Sequence, residues 1–266
     1  MPDKIIPGQI PLNEYKVFLD RESYDAFEAL NYSGSKKILI SPQHFLHART
    51  EKFDSPAMKL GRAVHSAILE PELFLKNFAV VPKIDRRTKE GKEKWAELEK
   101  ELEGKEILTE EDHATVKEIE RKVIALKLKQ NIAFEHTELK VAFSLSNGIC
   151  LKSSFDAVGE DGYIYDIKTT DDASPRAFLR SVRNFDYHLQ AAFYSYVFFF
   201  CYGQMPKGFR FIAVEKEGPG IAIYELGKNA LNEGRELMNL AVEIYSNAIS
   251  TGDWPGLPED PQVLDF

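Results

Sequence analysis

The stretch Asn147-Gly148-Ile149-Cys150-Leu151-Lys152-Ser153-Ser154-Phe155-Asp156-Ala157-Val158-Gly159-Glu160-Asp161-Gly162-Tyr163-Ile164-Tyr165-Asp166-Ile167-Lys168 decides the fold. Two turn signals, Asn147-Gly148 and Gly159-Glu160-Asp161-Gly162, bracket a strand-like run, and a second run returns from it, so the reading is an antiparallel hairpin. Side chains alternate along a strand, which puts Asp166 and Lys168 on one face and Ile167 on the other. Register then places Asp156. A strict four-residue loop sets it opposite Tyr165, whereas a loop longer by one residue, or a bulge near the turn, sets it opposite Asp166. We take the second register on chemical grounds. Facing carboxylates repel unless a cation lies between them, and hard oxygen ligands of this kind suit a divalent ion such as magnesium. Lys168 can then orient or deprotonate a water, or stabilise charge developing on a phosphate. A surface hairpin with solvated Asp and Lys side chains is the competing reading.

Outward from the hairpin, the strand at residues 139–145 is opened by Glu138 and pairs naturally with the strand carrying Asp156. Upstream, Ser41-Pro42 and Ser55-Pro56 each put a capping residue before a first-turn proline, and the second of these helices carries Gly61 and His65 one turn apart. Residues 85–105 are strongly charged, with Trp95 and Leu98 as apolar anchors, and Thr109 with Asp112 resembles a capping box that opens a helix to about Lys127. Downstream, Ser174-Pro175 starts a helix. The apolar run at residues 191–201 follows, with Gln190 and Tyr194 one turn apart; then come strands at 209–214 and 221–224 and a long helix at 229–250. The first forty residues show little periodicity. The predicted organisation is an N-terminal arm at 1–40 and one domain at 41–266 with a charged helical insertion at about 83–127. This order predicts an α/β fold, a mixed central β-sheet flanked by helices.

The chain has 266 residues, 44% of them hydrophobic, enough for one domain with a sizeable core. The longest apolar run, residues 191–201, is too short to span a membrane, and Met1-Pro2-Asp3-Lys4 does not open a signal peptide. Cys150 and Cys201 lack metal-ligand spacing and read as reduced thiols in a cytoplasmic setting. A net charge of −8 argues against a protein that coats nucleic acid but not against one that cuts it, because phosphate attraction depends on where the basic residues lie. Lys36, Lys37, Arg49, Arg62, Lys83, Arg86 and Arg87 are the local basic candidates.

Taken in order, Gly61-Arg62-Ala63-Val64-His65, Asp156, Asp166-Ile167-Lys168 and Gln190-Ala191-Ala192-Phe193-Tyr194 resemble the PD-(D/E)xK nuclease superfamily, in its RecB-like branch and nearest the RecE-type exonucleases, also called exonuclease VIII. That resemblance implies a restriction-endonuclease-like core. It implies that His65, Asp156, Asp166 and the Ile167 carbonyl hold a metal ion, magnesium with manganese as substitute, that Lys168 is the catalytic lysine, and that Gln190 and Tyr194 lie beside the active site and the DNA. Arg62 and Lys152 are implied DNA contacts or supports. Glu138 either holds a metal-bound water or is a solvated strand-end residue. His65 and Tyr194 also read as structural residues on helix faces. The implied function is a metal-dependent deoxyribonuclease of recombination that degrades double-stranded DNA ends from 5′ to 3′, as a homo-oligomeric ring, with a partner that anneals the exposed single strand. An endonuclease or single-strand nuclease on the same fold, or a non-catalytic DNA-binding module, are the alternatives.

Overall fold

A computed structural model describes residues 12–50, 54–82, 84–85, 87–261 and 263. The chain opens with β1 (Tyr15–Phe18), α1 (Arg21–Ala26), α2 (Tyr32–Ile40), α3 (Pro42–Thr50), α4 (Pro56–Leu69) and α5 (Pro71–Asn77). Next come β2 (Phe78–Val81), α6 (Lys89–Glu101), β3 (Glu106–Thr109) and α7 (Glu110–Gln130). The central hairpin strands follow as β4 (Phe134–Ser144), β5 (Cys150–Gly159) and β6 (Tyr163–Thr170). The chain then runs through α8 (Pro175–Asn184), α9 (Tyr187–Tyr202), β7 (Gly208–Glu215), β8 (Ile221–Glu225) and α10 (Lys228–Thr251).

Six strands form one mixed sheet in the order β1-β4-β5-β6-β7-β8. All neighbours are antiparallel except β6 and β7, which pair in parallel because α8 and α9 carry the chain back across one face. Side-chain alternation feeds two cores. Phe209, Phe211 and Ala213 of β7 pack with Ile38, Phe178, Leu189, Phe193 and Tyr245 from the helices of one face. Ile212 and Val214 pack with Val64, Ala67, Val116, Ile119 and Val123 of α4 and α7 on the other. The result is the mixed sheet between helical layers that the element order predicts.

At the hairpin, Ala157 pairs with Tyr165 and Val158 with Ile164, so one further step sets Asp156 opposite Asp166. The expected register is therefore present, but it arises from a shorter loop rather than a longer one. β5 runs to Gly159, the Gly162 N–H donates to the Gly159 carbonyl at 2.9 Å, and Gly162 takes φ 82°, leaving Glu160-Asp161-Gly162 as a three-residue loop. A left-handed third residue is the usual exit from such a loop, and glycine takes it without a Cβ clash.

Three expectations need correction. Residues 15–40 are not an arm: β1 is an edge strand of the main sheet, and Leu30 and Ile38 are fully buried. Nor is the whole of 83–127 an insertion, because α7 lines the second core while α6 alone is solvated on most positions. β4 also starts earlier than expected, at Phe134, so Glu138 lies inside a strand and not at its end.

Candidate active site

His65 is delivered by α4, whose start is fixed by Ser55, its hydroxyl accepting the Met58 N–H at 3.2 Å before Pro56 in the first turn. Asp156 and Asp166 come from the centre of the sheet, where they are 9% and 1% exposed. Asp156 turns its carboxylate toward β6 and accepts the Ile167 N–H at 2.8 Å. His65 sits between the two strands, with Nε2 donating to the Ile167 carbonyl at 2.8 Å and Nδ1 3.4 Å from Asp156 Oδ2. Burial pulls its imidazole down in pKa, but the Asp156 carboxylate outweighs that and pushes it up to about 9, so both ring nitrogens carry protons at neutral pH. Burial alone would raise Asp156; His65 and Lys168 hold it below the usual carboxylate range.

Glu138 joins this pair. Its φ is 47°, a left-handed value that costs a non-glycine residue on the order of 1 kcal/mol or more inside a strand. The Lys140 ammonium stabilises the turned segment, donating to the Glu138 carbonyl at 2.8 Å and lying 3.3 Å from its carboxylate. One ligand atom each from His65, Glu138 and Asp156 then lies within 4.8 Å of the others. Burial, reinforced by the charge on Asp156, raises the Glu138 pKa. Two carboxylates and an imidazole converging beside the Ile167 carbonyl is the donor chemistry of a divalent-cation site, and a cation would relieve the carboxylate repulsion.

Asp166 is engaged differently. Gln190 Nε2 donates to its Oδ1 at 2.5 Å, and Lys168 Nζ lies 2.7 Å from Oδ2 as an ion pair without the alignment of a hydrogen bond. Burial and the neighbouring Asp156 push Asp166 up to about 6 against the pull of Lys168. Lys168 is itself penalised by burial, yet Asp166 raises it above its ordinary value and keeps it cationic. Its ammonium also rests 4.7 Å from the centre of the Tyr187 ring.

α9 supplies Gln190 and begins at Asp186, which turns into the helix with φ 57° and accepts the Gln190 N–H through its carbonyl at 3.1 Å. Tyr194 is half-buried and braces α9. Its ring meets Phe155, Phe209 and Tyr32 edge-on at 5.4, 6.0 and 6.4 Å.

The expected residues thus assemble in two linked groups: His65, Asp156 and Glu138 around the Ile167 backbone, and Asp166 with Lys168 and Gln190 beside it. Two expected DNA contacts do not offer themselves. Lys152 is 6% exposed and its ammonium donates to the carbonyls of Tyr24, Asp25 and Phe27, closing the end of α1. Arg62 holds Asp54 at 2.8 Å and Glu106 at 2.6 Å, so its charge is spent on tying α4 to β3. Lys83 and Arg86 lie outside the described residues. Tyr187 is a site residue that the sequence motifs do not single out, though its place three residues before Gln190 sets it on the same helix face.

The sequence profile of a family described as a PDDEXK-like domain of unknown function, DUF3799, matches residues 31–265. No curated protein matches. Among solved structures, a chain described as "Putative exonuclease" from Eubacterium rectale aligns over 88% of this chain and 85% of its own, at 17% identity and a TM-score of 0.60. The crystal structure of SSO0001 aligns over 71% of this chain and 85% of its own at 13% identity, with a TM-score of 0.31 too low to bear on the fold. Among the described residues no helix is long and apolar enough to cross a membrane.

Proposed function

The chain belongs to the PDDEXK-like DUF3799 family, and on that premise we propose that it is a nuclease, a magnesium-dependent deoxyribonuclease of the RecE type that degrades duplex ends from the 5′ side. The observation that carries the reading is the adjacency of two charge arrangements. His65, Glu138 and Asp156 converge on one point, and the Asp166-Lys168 pair lies one residue to either side of the Ile167 backbone that they touch.

Asp156, Glu138, Asp166 and the Ile167 carbonyl would hold a divalent ion together with His65 in its neutral form, the ion displacing one ring proton. When bound, such an ion supplies Lewis-acid polarisation of a phosphodiester and a more acidic water. The chain's own part is clearer for Lys168. An ammonium held cationic by Asp166 is a poor base, so its role is to orient the attacking water by donating to it and to stabilise negative charge on the phosphate. Gln190 fixes one oxygen of Asp166 so that the other stays aimed at Lys168.

Incubation with linear and relaxed closed-circular duplex DNA, with magnesium and with EDTA, tests the reading. Linear duplex should shorten only with magnesium while circles survive, and Lys168→Ala should slow the reaction by about 10²-fold or more. Nicked circles would turn the assignment to the endonuclease alternative; intact DNA of both kinds would end it. The same RecE-type reading carries a homo-oligomeric ring and a single-strand annealing partner, which sedimentation of the protein alone and with such a partner would measure.

A further inference from the structure

Among the described residues most arginines are already engaged. Arg21, Arg49, Arg62, Arg87, Arg121 and Arg210 each hold a carboxylate, and Arg235 donates to the Asn232 amide oxygen. The exceptions among the described residues are Arg176, Arg180 and Arg183, all exposed and all on α8. Spacings of four and three put them on one stripe of that helix, while Ala177, Phe178 and Val182 bury the opposite side. A chain of net charge −8 therefore keeps three uncommitted guanidinium groups in a row.

Their position matters as much as their freedom. An open cleft of about 340 Å³ is lined by Arg180, the middle residue of the stripe, together with Lys168 and Tyr187, so the stripe borders a cleft that reaches the candidate active site. The acids on the cleft are already engaged. Asp171 pairs with Lys216 at 2.6 Å, and Asp172, which feels the charge of Arg180, accepts the Ser174 N–H at 2.8 Å. The seven steps from Arg176 to Arg183 span roughly 10 Å of helix, and long guanidinium side chains reaching past both ends can meet about three successive phosphates. Arginine suits such a row because its fork grips phosphate oxygens in pairs.

We propose that the Arg176-Arg180-Arg183 face of α8 is a track for the sugar-phosphate backbone of DNA, guiding a strand into the cleft that ends at Lys168. The proposal rests on the nuclease reading for its direction of travel, but binding itself needs no chemistry.

The test is therefore binding of a short fluorescein-labelled duplex in EDTA, followed by anisotropy over a series of salt concentrations. Each phosphate neutralised contributes about 0.9 to the slope of log affinity against log salt. Replacing all three arginines by Gln should lower that slope by about 2 to 3 units, as about three lost contacts require. Replacement by Lys, which keeps the charge, should restore most of it. Arg121→Gln, removing a guanidinium tied to Glu118, should leave it unchanged. A triple Gln variant with the wild-type slope, or a wild type that does not bind, overturns the track. A wild type that binds through these arginines yet never cleaves with magnesium keeps the track and removes the nuclease.

Discussion

Asp166 has three neighbours with competing claims, and this makes it the most informative single residue to change. In the metal-free protein it neutralises Lys168, whose side chain is only 18% exposed. Asp166→Asn therefore leaves a mostly buried ammonium without its carboxylate, and the variant should melt below wild type in EDTA. Magnesium at about ten times its dissociation constant should stabilise wild type by about 1.4 kcal/mol, the mass-action value for a ligand that binds only the folded form. That gain should vanish in Asp166→Asn; equal shifts in the two proteins would remove Asp166 from the ligand set. Gln190→Ala isolates the other claim. It leaves Asp166 Oδ1 buried without a donor, at a cost of about 1–3 kcal/mol, and a variant as stable as wild type would show that water replaces the amide. Much of this site is legible in the sequence, because Asp-x-Lys on a strand and Gln-x-x-x-Tyr on a helix are local patterns whose periods fix which side chains share a face. The pairing between them is not. Glu138 enters the cluster through a left-handed backbone that no strand pattern announces, and Gln190 claims Asp166 across 24 residues of chain.

At the level of elements, α9 is positioned by α10, and the contact has no slack. Gly234 in the interior of α10 faces the carbonyl of His188, and a Cβ built there would sit 2.1 Å from that oxygen. Helix propensity alone favours Gly234→Ala by about 1 kcal/mol. Packing should reverse the sign: the helices must separate, both stability and the Gln190 contact should suffer, and a chemical melt showing the alanine protein to be more stable would refute the close approach. Ser55→Ala should cost about 1 kcal/mol in the same assay through loss of the cap on the helix that carries His65. The long helices and the strands of the central hairpin can be read from period and capping residues. β1, β2 and β3, four residues each, cannot. Their strand character comes from partners far along the chain, β4 for the first and each other for the second pair, and a four-residue window holds too few alternations to reveal it. The reading of 83–127 as one insertion fails for a related reason: it extends the charge of α6 over α7, whose Val116, Ile119 and Val123 meet a core that only the folded chain creates.

For the molecule as a whole, the two cores bury phenols that must stay neutral. Burial, with Asp161 beside it, pushes Tyr165 up to about 12, and burial pushes Tyr245 up to about 12. A pKa raised above its unfolded value of about 10 contributes stability that is complete below about pH 10 and is lost as pH climbs through about 12. Stability should thus fall by about 1.4 kcal/mol per pH unit for each of the two across that window, and phenolate absorbance should appear together with unfolding. Smooth ionisation of these tyrosines in a protein that stays folded would contradict their burial. The parallel joint between β6 and β7 has a further meaning for how the protein comes into being. Strand β7 cannot dock until the intervening helices have folded back, and the cluster draws on residues from His65 to Gln190, so no short stretch of the nascent chain owns a working centre. Non-local pairings of this sort form slowly and late. Half-made copies and proteolytic fragments therefore lack the assembled centre, which exists only once residues from His65 to Gln190 have come together.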